Sequence, residues 1–477
     1  MRAFPKKSIC IILLTMIAAL SSVEATISMI AKVPSKGFIS QPVLNPPTPN
    51  PTSAPTPQPI ATPTPMTRPN PSYNQNLDSY NNVLYASSGS ASAIQSAVNQ
   101  AKAGDAVLIP EGTFTFSTQS SGVYVTVPTG VSIFGAPPIF DFEGNIVSWG
   151  TNLHLNVDNS EEEYVYWFVY VGFSHYLTRF SGINMVGHRE FAPSTNDVTN
   201  GIILNDGVGT SQFRIDHVRI RSLGGFGVQA CGGYGVIDHC DFSNNNAQLT
   251  YGNMATNYNY CTGKYHIVAE GHGDWASSIS QIAGKYTDQT WVIEDCFFKR
   301  SISLSSIASC HMIVRHSQFV DCKISAHWAT PEWGGTPTRL IESYNNTFTY
   351  EGHGGFGSLG HNIESGSAII YNNINYGFGG GSNSNSDYNC FIALRQSQAD
   401  DMQYTQIEEC YIWNNQMSSN EDLLDVLWGE EGATPDKFIP GSNPIMQNEH
   451  YFLRKPSYSQ DGWTYTPLQY PHSLVKG

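Results

Sequence analysis

Positive charge is what this sequence has least of: 24 Lys and Arg face 39 Asp and Glu, charged residues make up only 13% of the chain, and the formal net charge is −15. A surface so poor in basic residues repels nucleic acid and anionic lipid alike, which excludes both as general partners. Long apolar runs are nearly absent as well. The one candidate, Ser8 to Leu20, is shorter than the roughly 20 residues that a spanning helix needs. Arg2, Lys6 and Lys7 precede it and Val23-Glu24-Ala25 offers a small-x-small site, so residues 1–25 read as an export leader. The alternative is that the segment stays in place as an N-terminal membrane anchor, the only membrane contact expected. Both readings put the protein outside the cytoplasm, secreted or at the cell surface. Cysteine is sparse: there are nine, and Cys10 lies in the leader. The even number left over in an oxidising compartment predicts some disulfides without fixing their pairing.

Helical periodicity is the third shortage. Residues 26–82 include the stretch "NPPTPNPTSAPTPQPIATPTP", which buries almost nothing and is expected to run as an extended, polyproline-like stalk. The folded part is expected from Val83 onward. One amphipathic helix is predicted over residues 91–102, with Ile94, Ala97, Val98 and Ala101 on one face, Ser92 as N-cap and Gly104 as stop. After it come short β-branched and aromatic runs divided by Gly, Asn and Ser, the pattern of an all-β domain.

Those runs repeat a word. "VIDHCDF" at Val236 and "VIEDCFF" at Val292 share two apolar residues, two polar residues, a cysteine and then an aromatic. With the second apolar residue as anchor, the word recurs at Phe180, Ile215, Ile237, Ile293, Val314, Ile370 and Ile407, and more weakly at Ser343. Spacings as short as 21 and 22 residues suit a solenoid in which each word opens one coil. Three positions past the anchors stand Ile183, Val218, Cys240, Cys296, Ser317, Asn346, Asn373 and Cys410, which would stack roughly 4.8 Å apart as an internal ladder. Cys240 beside Cys296 is then a disulfide or two buried thiols. The sequon Asn345-Asn346-Thr347 falls inside the word and reads as ladder.

The helix followed by "GDAVLIPEGTF", with the words "FRIDHVRI", "GVIDHCDF" and "YNNTF", resembles the pectate-lyase-like superfamily, and the tail "YPHSL" at Tyr470 to Leu474 is similar to one found in secreted β-helix-repeat proteins. The resemblance spans about residues 83 to 474. It implies a single-stranded right-handed parallel β-helix over residues 83–477, with the N-terminal helix across its open end. For activity it implies only a range, because the superfamily holds polysaccharide lyases, glycoside hydrolases and non-catalytic surface proteins.

Candidate chemistry comes from aligning the strand that follows each word: "YHIVAEG", "SISLSS", "KISAHW" and "CFIALRQ". Glu270, Ser305, His327 and Arg395 then fall near equivalent strand ends and form one column, which Asp206 of "GIILND" extends and Arg189 reaches from the preceding loop. A carboxylate, an imidazole and a guanidinium are the ingredients for proton abstraction or glycosidic cleavage, so Glu270, His327 and Arg395 are the candidate catalytic residues. Trp275, Trp328 and Trp333 lie on neighbouring insertions and suit stacking on sugar rings, with packing as the competing reading. His353 sits in one of two "GHG" motifs that resemble the histidine motif of polygalacturonase-type hydrolases, without the upstream aspartates those enzymes need. No acidic cluster accompanies Glu270, so no metal ligands are assigned and calcium stays open as a cofactor. The expected partner is an extracellular polysaccharide, cleaved by a lyase or hydrolase or bound by a non-catalytic display protein. One more expectation fixes the register: residues 249–290 form a single excursion from one coil, with "YHIVAEG" returning as a strand.

Overall fold

The computed structural model separates Met1–Pro69, which lies outside the described residues, from Asn70–Gly477. Described are residues 73–116, 122–155, 165–188, 199–205, 211–223, 225–243, 265–270, 277–307, 309–326, 338–351, 360–376, 390–396, 407–417, 422–428 and 445–476. For 265–270, 301–303, 305–307, 395–396, 422 and 425–428 only the backbone is described. The leader or anchor and nearly all of the expected stalk fall outside. Described residues ahead of Val83 pack on the domain: the Tyr73 ring meets that of His217 at 4.8 Å, and Gln75 Nε2 donates to Gly135 O at 2.6 Å.

The domain is a single-stranded right-handed parallel β-helix. Its first sheet has 12 strands among the described residues. We number the coils by their first-sheet strand: Ala106–Leu108 (coil 1), Ser132–Phe134 (2), Thr178–Ser181 (3), Gln212–Asp216 (4), Tyr234–Asp238 (5), Thr290–Glu294 (6), His311–Arg315 (7), Leu340–Tyr344 (8), Gly366–Tyr371 (9) and Ile407–Trp413 (10). Each coil continues through a second and a third sheet, and these two ladders are joined where Phe297–Ile307 and Gln318–Ala326 run through both without a break.

The repeated word is the corner between the first and second sheets. Its apolar anchors pair across neighbouring coils, Phe180 with Ile215, Ile237, Ile293, Val314, Ser343 and Ile370 in succession. The second polar residue of each word has positive φ: His217 (49°), His239 (52°), Asp295 (54°), His316 (53°), Asn345 (57°), Asn372 (54°) and Asn414 (53°). A β-branched side chain would be strained in that left-handed corner, whereas His, Asp and Asn tolerate it, so the word is polar there for a backbone reason. The next residue turns inward. Cys240 and Cys296 occupy adjacent coils as buried thiols that donate to Asp238 O and Glu294 O at 3.2 and 3.3 Å, so this pair is not a disulfide. Lower down, Asn346 Nδ2 donates to Asn373 Oδ1 and Asn373 Nδ2 to Asn415 Oδ1, at 3.1 and 3.0 Å. Behind this ladder Phe242, Phe298, Phe319 and Phe348 stack at 5.2, 4.8 and 4.7 Å between ring centres.

The register departs from expectation at coil 10. Ile370 pairs with Ile412, while Ile407 pairs with Gly366, and the ladder shifts between Gly366 and Ala368. Ile407 is buried in the core as expected, but Ile412 is the anchor, and Asn415 rather than Cys410 ends the internal ladder. Between coils 5 and 6 the expectation holds: Ile237 faces Ile293 directly, and Tyr265–Glu270 is the third-sheet strand of coil 5, paired with coils 4 and 6.

Helix α1, Ala91–Val98, is capped by Ser90, whose hydroxyl accepts from Ala93 N, and not by Ser92; it stops well short of Gly104. Ile94, Ala97 and Val98 enter the core. Gln95 imitates a missing strand: its carboxamide donates to Thr126 O and accepts from Thr126 N, on the third-sheet strand of coil 1, at 3.1 and 2.8 Å. This protects an edge that would otherwise pair with another chain.

The outer face of the first sheet is covered by the chain's end. A second apolar cluster joins Val236, Val292, Ile313, Tyr344, Ile369 and Tyr411 to Tyr465, with Trp463, Leu468, Leu474 and Val475 packed against it. Buried ions tie that cover down. Arg214 donates to Asp238 and to Leu474 O. Fully buried Arg315 donates to Glu294, to Leu468 O and to Gln469 O. His472 N donates to Glu294, and Tyr465 OH to Glu342. The "YPHSL" tail is therefore a clasp.

Candidate functional site

In the third sheet Ile202, Val228, Leu304, Ile324 and Ile392 face inward and lie in the core. Strand alternation sends the next residue outward. Following the last inward position, Ala269 pairs with Ser306, Ser306 with Ala326, Ala326 with Ile363 and Ile363 with Leu394. One residue further along is the row that the strand-end alignment points to. It contains Asn205, Cys231, Glu270 and Ile307 on coils 3 to 6, Glu364 on coil 8 and Arg395 on coil 9.

Glu270 and Arg395 thus share a row, as the alignment expected, four coils apart, or roughly 19 Å at one strand spacing per coil. Their side chains lie outside the description. His327, Asp206, Arg189, Trp275, Trp328, Trp333 and His353 lie outside the described residues altogether. Two alignments need correcting. Ser305 stands opposite Val268, two residues before Glu270, because the coil 6 strand runs on to Ile307 and carries a one-residue irregularity between Ile302 and Leu304. On coil 3 the row position belongs to Asn205, the neighbour of Asp206.

The residues missing from the alignment are on coil 8. His361–Ile363 pairs with Ile324–Ala326 on one side and Ile392–Leu394 on the other. His361 and Ile363 face inward. His361 Nε2 meets Ser343 Oγ at 2.8 Å, and complete burial among Phe348 and Phe391 holds its imidazole down at about 3, so it is neutral. Asn362 and Glu364 therefore project to the other side, yet they are only 2% and 5% exposed. Asn362 Nδ2 donates to Glu364 Oε1 at 2.7 Å, and Glu364 N donates to Ala326 O at 2.9 Å. Asn362 Oδ1 is buried with no hydrogen-bond partner among the described residues. The signal was present in "HNIE", which aligns with "ISAH" and "IALR", but the Gly-rich insertion before it hides the frame.

Elsewhere the ionisable residues serve the fold. Arg179 forks onto Asp216 at 2.6 and 2.8 Å; burial works against that carboxylate's charge, but Arg214 and Arg179 hold it well below the usual range. His217 and His239 lean on Asp216 and Asp238 at 2.9 Å, with their rings parallel and 5.0 Å apart. His316, beside Arg315, is brought down to about 4 by burial and by that cation. Among the described residues no group of three or more His, Cys, Asp or Glu converges on a metal-sized gap.

No protein-family model matches the chain, and no curated protein does. Among solved structures, an alginate lyase from Paenibacillus sp. str. FPU-7 aligns over 73% of this chain and 98% of its own, at 14% identity and a TM-score of 0.39. A likeness this distant does not bear on activity.

Proposed function

We propose that the protein is an extracellular polysaccharide-degrading enzyme whose site is the outer face of the third sheet over coils 5 to 9, and that it works as a lyase. The observation that carries this reading is the row itself: Glu270, Glu364 and Arg395 belong to the same edge of one sheet, on coils 5, 8 and 9. A rigid solenoid holds such a row at fixed spacing, which is what positioning a chain of sugars requires.

Spacing also separates the two chemistries. Glycoside hydrolysis needs two carboxyl groups about 5–9.5 Å apart. The row's two glutamates, Glu270 and Glu364, stand three coils apart, roughly 14 Å between backbone positions. Elimination instead needs a cation against the uronate carboxylate and a base for the proton beside it. In this reading Arg395 neutralises the carboxylate and His327 takes the proton beside it. That electron pair forms the double bond as the neighbouring carbon–oxygen bond of the glycosidic link breaks, and solvent water protonates the leaving oxygen, while Glu270 binds the sugar further along. Trp275, Trp333 and His353, with Asp206 and Arg189, are assigned to substrate binding on the surrounding loops. Calcium is assigned no residue and no step.

Incubating the full chain with a panel of uronate-containing and neutral polysaccharides tests this. New ultraviolet absorbance from unsaturated uronate ends is the expected result. New reducing ends without that absorbance would make it a hydrolase, and retention on a glycan without cleavage would make it a binder; either outcome removes the lyase.

A further inference from the structure

Only one residue of the sequon Asn345-Asn346-Thr347 is ladder. Asn346 faces inward, is 1% exposed and donates to Asn373, whereas Asn345 is the left-handed corner residue of coil 8, with φ 57°. Asn345 and Thr347 are half-buried on the outside of the coil. Resting on the extracellular reading above, we propose that Asn345 is an N-glycosylation site, the acceptor for a sugar delivered by a lipid-linked glycosyl phosphate. In that transfer Asn345 Nδ2 bonds to the anomeric carbon of the sugar. The carbon–oxygen bond to the phosphate breaks, its electron pair leaves with the phosphate, and the amide loses one proton to solvent.

The triplet is the only Asn-x-Ser/Thr in the chain without a central proline. The corner explains its asparagine, since His, Asp and Asn fill that position on every coil of the ladder. It does not explain Thr347, because the equivalent outer position carries Arg219, Asp241, Phe297, Gln318, Ile374 and Gln416 on other coils. The acceptor nitrogen also has a proton to spare. A carboxamide carries two N–H groups, and the contact of Asn345 Nδ2 with His316 Nε2 at 3.4 Å uses one of them. A linked sugar replaces the other and keeps that contact. Room lies on one side: towards coil 7 the His316 ring is stacked on Tyr470 at 3.7 Å, while towards coil 9 the corner opens into a cleft of about 290 Å³. Asn372, Ile374, Asn414, Asn415 and Gln416 line it, and carboxamides beside one apolar side chain suit the hydroxyl edge and apolar face of a pyranose. The glycan therefore runs along the corner over coils 9 and 10, away from the clasp.

Peptide mass spectrometry on the full chain, purified from the cells that make it, tests the site. The expected result is a sugar on the peptide that carries residue 345, localised by fragmentation to the Asn345 amide. Thr347→Val keeps the acceptor and the β-branched shape of the strand but should empty the site, whereas Thr347→Ser should keep it filled. Asn345→Asp should lack the sugar with its urea midpoint unchanged, because coil 6 carries an aspartate, Asp295, at the same corner. The natural chain alone decides the matter where a variant folds poorly. A bare peptide in chain recovered outside the cells, or a sugar that survives Thr347→Val, would overturn the site and leave the extracellular reading standing. Chain found only inside the cells, with the peptide bare, would remove the extracellular reading and the site with it.

Discussion

Replacing Arg315 with Met should detach the C-terminal clasp. Arg315 is fully buried; its Nε and Nη2 reach Glu294 Oε2 at 2.8 and 2.6 Å, Nη1 donates to Tyr344 OH and Leu468 O at 3.1 and 2.6 Å, and Nη2 also reaches Gln469 O at 3.0 Å. In Arg315→Met, Glu294 keeps only the His472 N–H at 2.9 Å, and two tail carbonyls lose their donors. Burial already pushes the Glu294 carboxyl up against the pull of Arg315, so losing the guanidinium leaves an uncompensated acid inside the protein. Breaking a buried pair from one side costs about 3–5 kcal/mol. The carbonyls can turn to water once the tail lifts, which keeps the total near that range and concentrates the damage on residues 451–476. Urea unfolding followed by circular dichroism should show the lower midpoint, and limited proteolysis should release the tail before the solenoid opens. Adding Glu294→Leu removes the stranded acid and should recover most of the loss, because an apolar pair can replace a buried ion pair at little cost. A double variant as unstable as Arg315→Met alone, or an Arg315→Met tail as protease-resistant as the natural one, would refute the account.

Three further outcomes are expected. Asn373→Ala should lose about 2–4 kcal/mol, because Ser343 O and Asn346 N, bonded to that carboxamide at 3.0 Å, are left buried; an unchanged urea midpoint would mean that water replaces it. His361, held at about 3 against 6.5 for an ordinary imidazole, has a folded value below its unfolded one, so its contribution is intact above pH 6.5 and is lost as pH falls towards 3, at about 1.4 kcal/mol per pH unit. His361→Phe should therefore flatten the acid limb of the stability curve, and an identical limb in both proteins counts against this. Finally, His327→Ala should abolish cleavage while moving thermal stability by less than about 1 kcal/mol; unfolding would show an internal role, and full activity would remove His327 from the chemistry.

The corner between the first two sheets is legible in the sequence because three physical demands coincide there: an inward apolar anchor, a left-handed residue and an inward ladder residue recur in fixed order. That frame alone puts Cys240 next to Cys296 and makes Tyr265–Glu270 a returning strand. It fails at coil 10 because Ile407 and Ile412 are both apolar and both buried, and only the shift between Gly366 and Ala368 tells which one is the anchor. It fails more often in the third sheet, whose strands lie far from the word. A single extra residue on coil 6 puts Ser305 out of step with Glu270, and the insertion before His361 conceals coil 8.

Residue type alone is a poor guide to the site in this fold, as the first sheet makes plain. Its outer face carries Asp216, Asp238, Glu294 and Glu342, a denser set of carboxylates than the third-sheet row, flanked by His217 and His239. Every one of those carboxylates accepts from a guanidinium, an imidazole or a tyrosine hydroxyl, and the clasp lies over the last of them. They are consumed in closing the domain. Coil 8 shares one trait with that set: Asn362 Oδ1, like His217 Nε2 beside Asp216, is buried without a hydrogen-bond partner among the described residues. A buried polar atom without a partner is therefore no ligand site by itself, because Trp167 Nε1 and Trp291 Nε1 share that state in the middle of the core; position on an open sheet face has to be argued beside it.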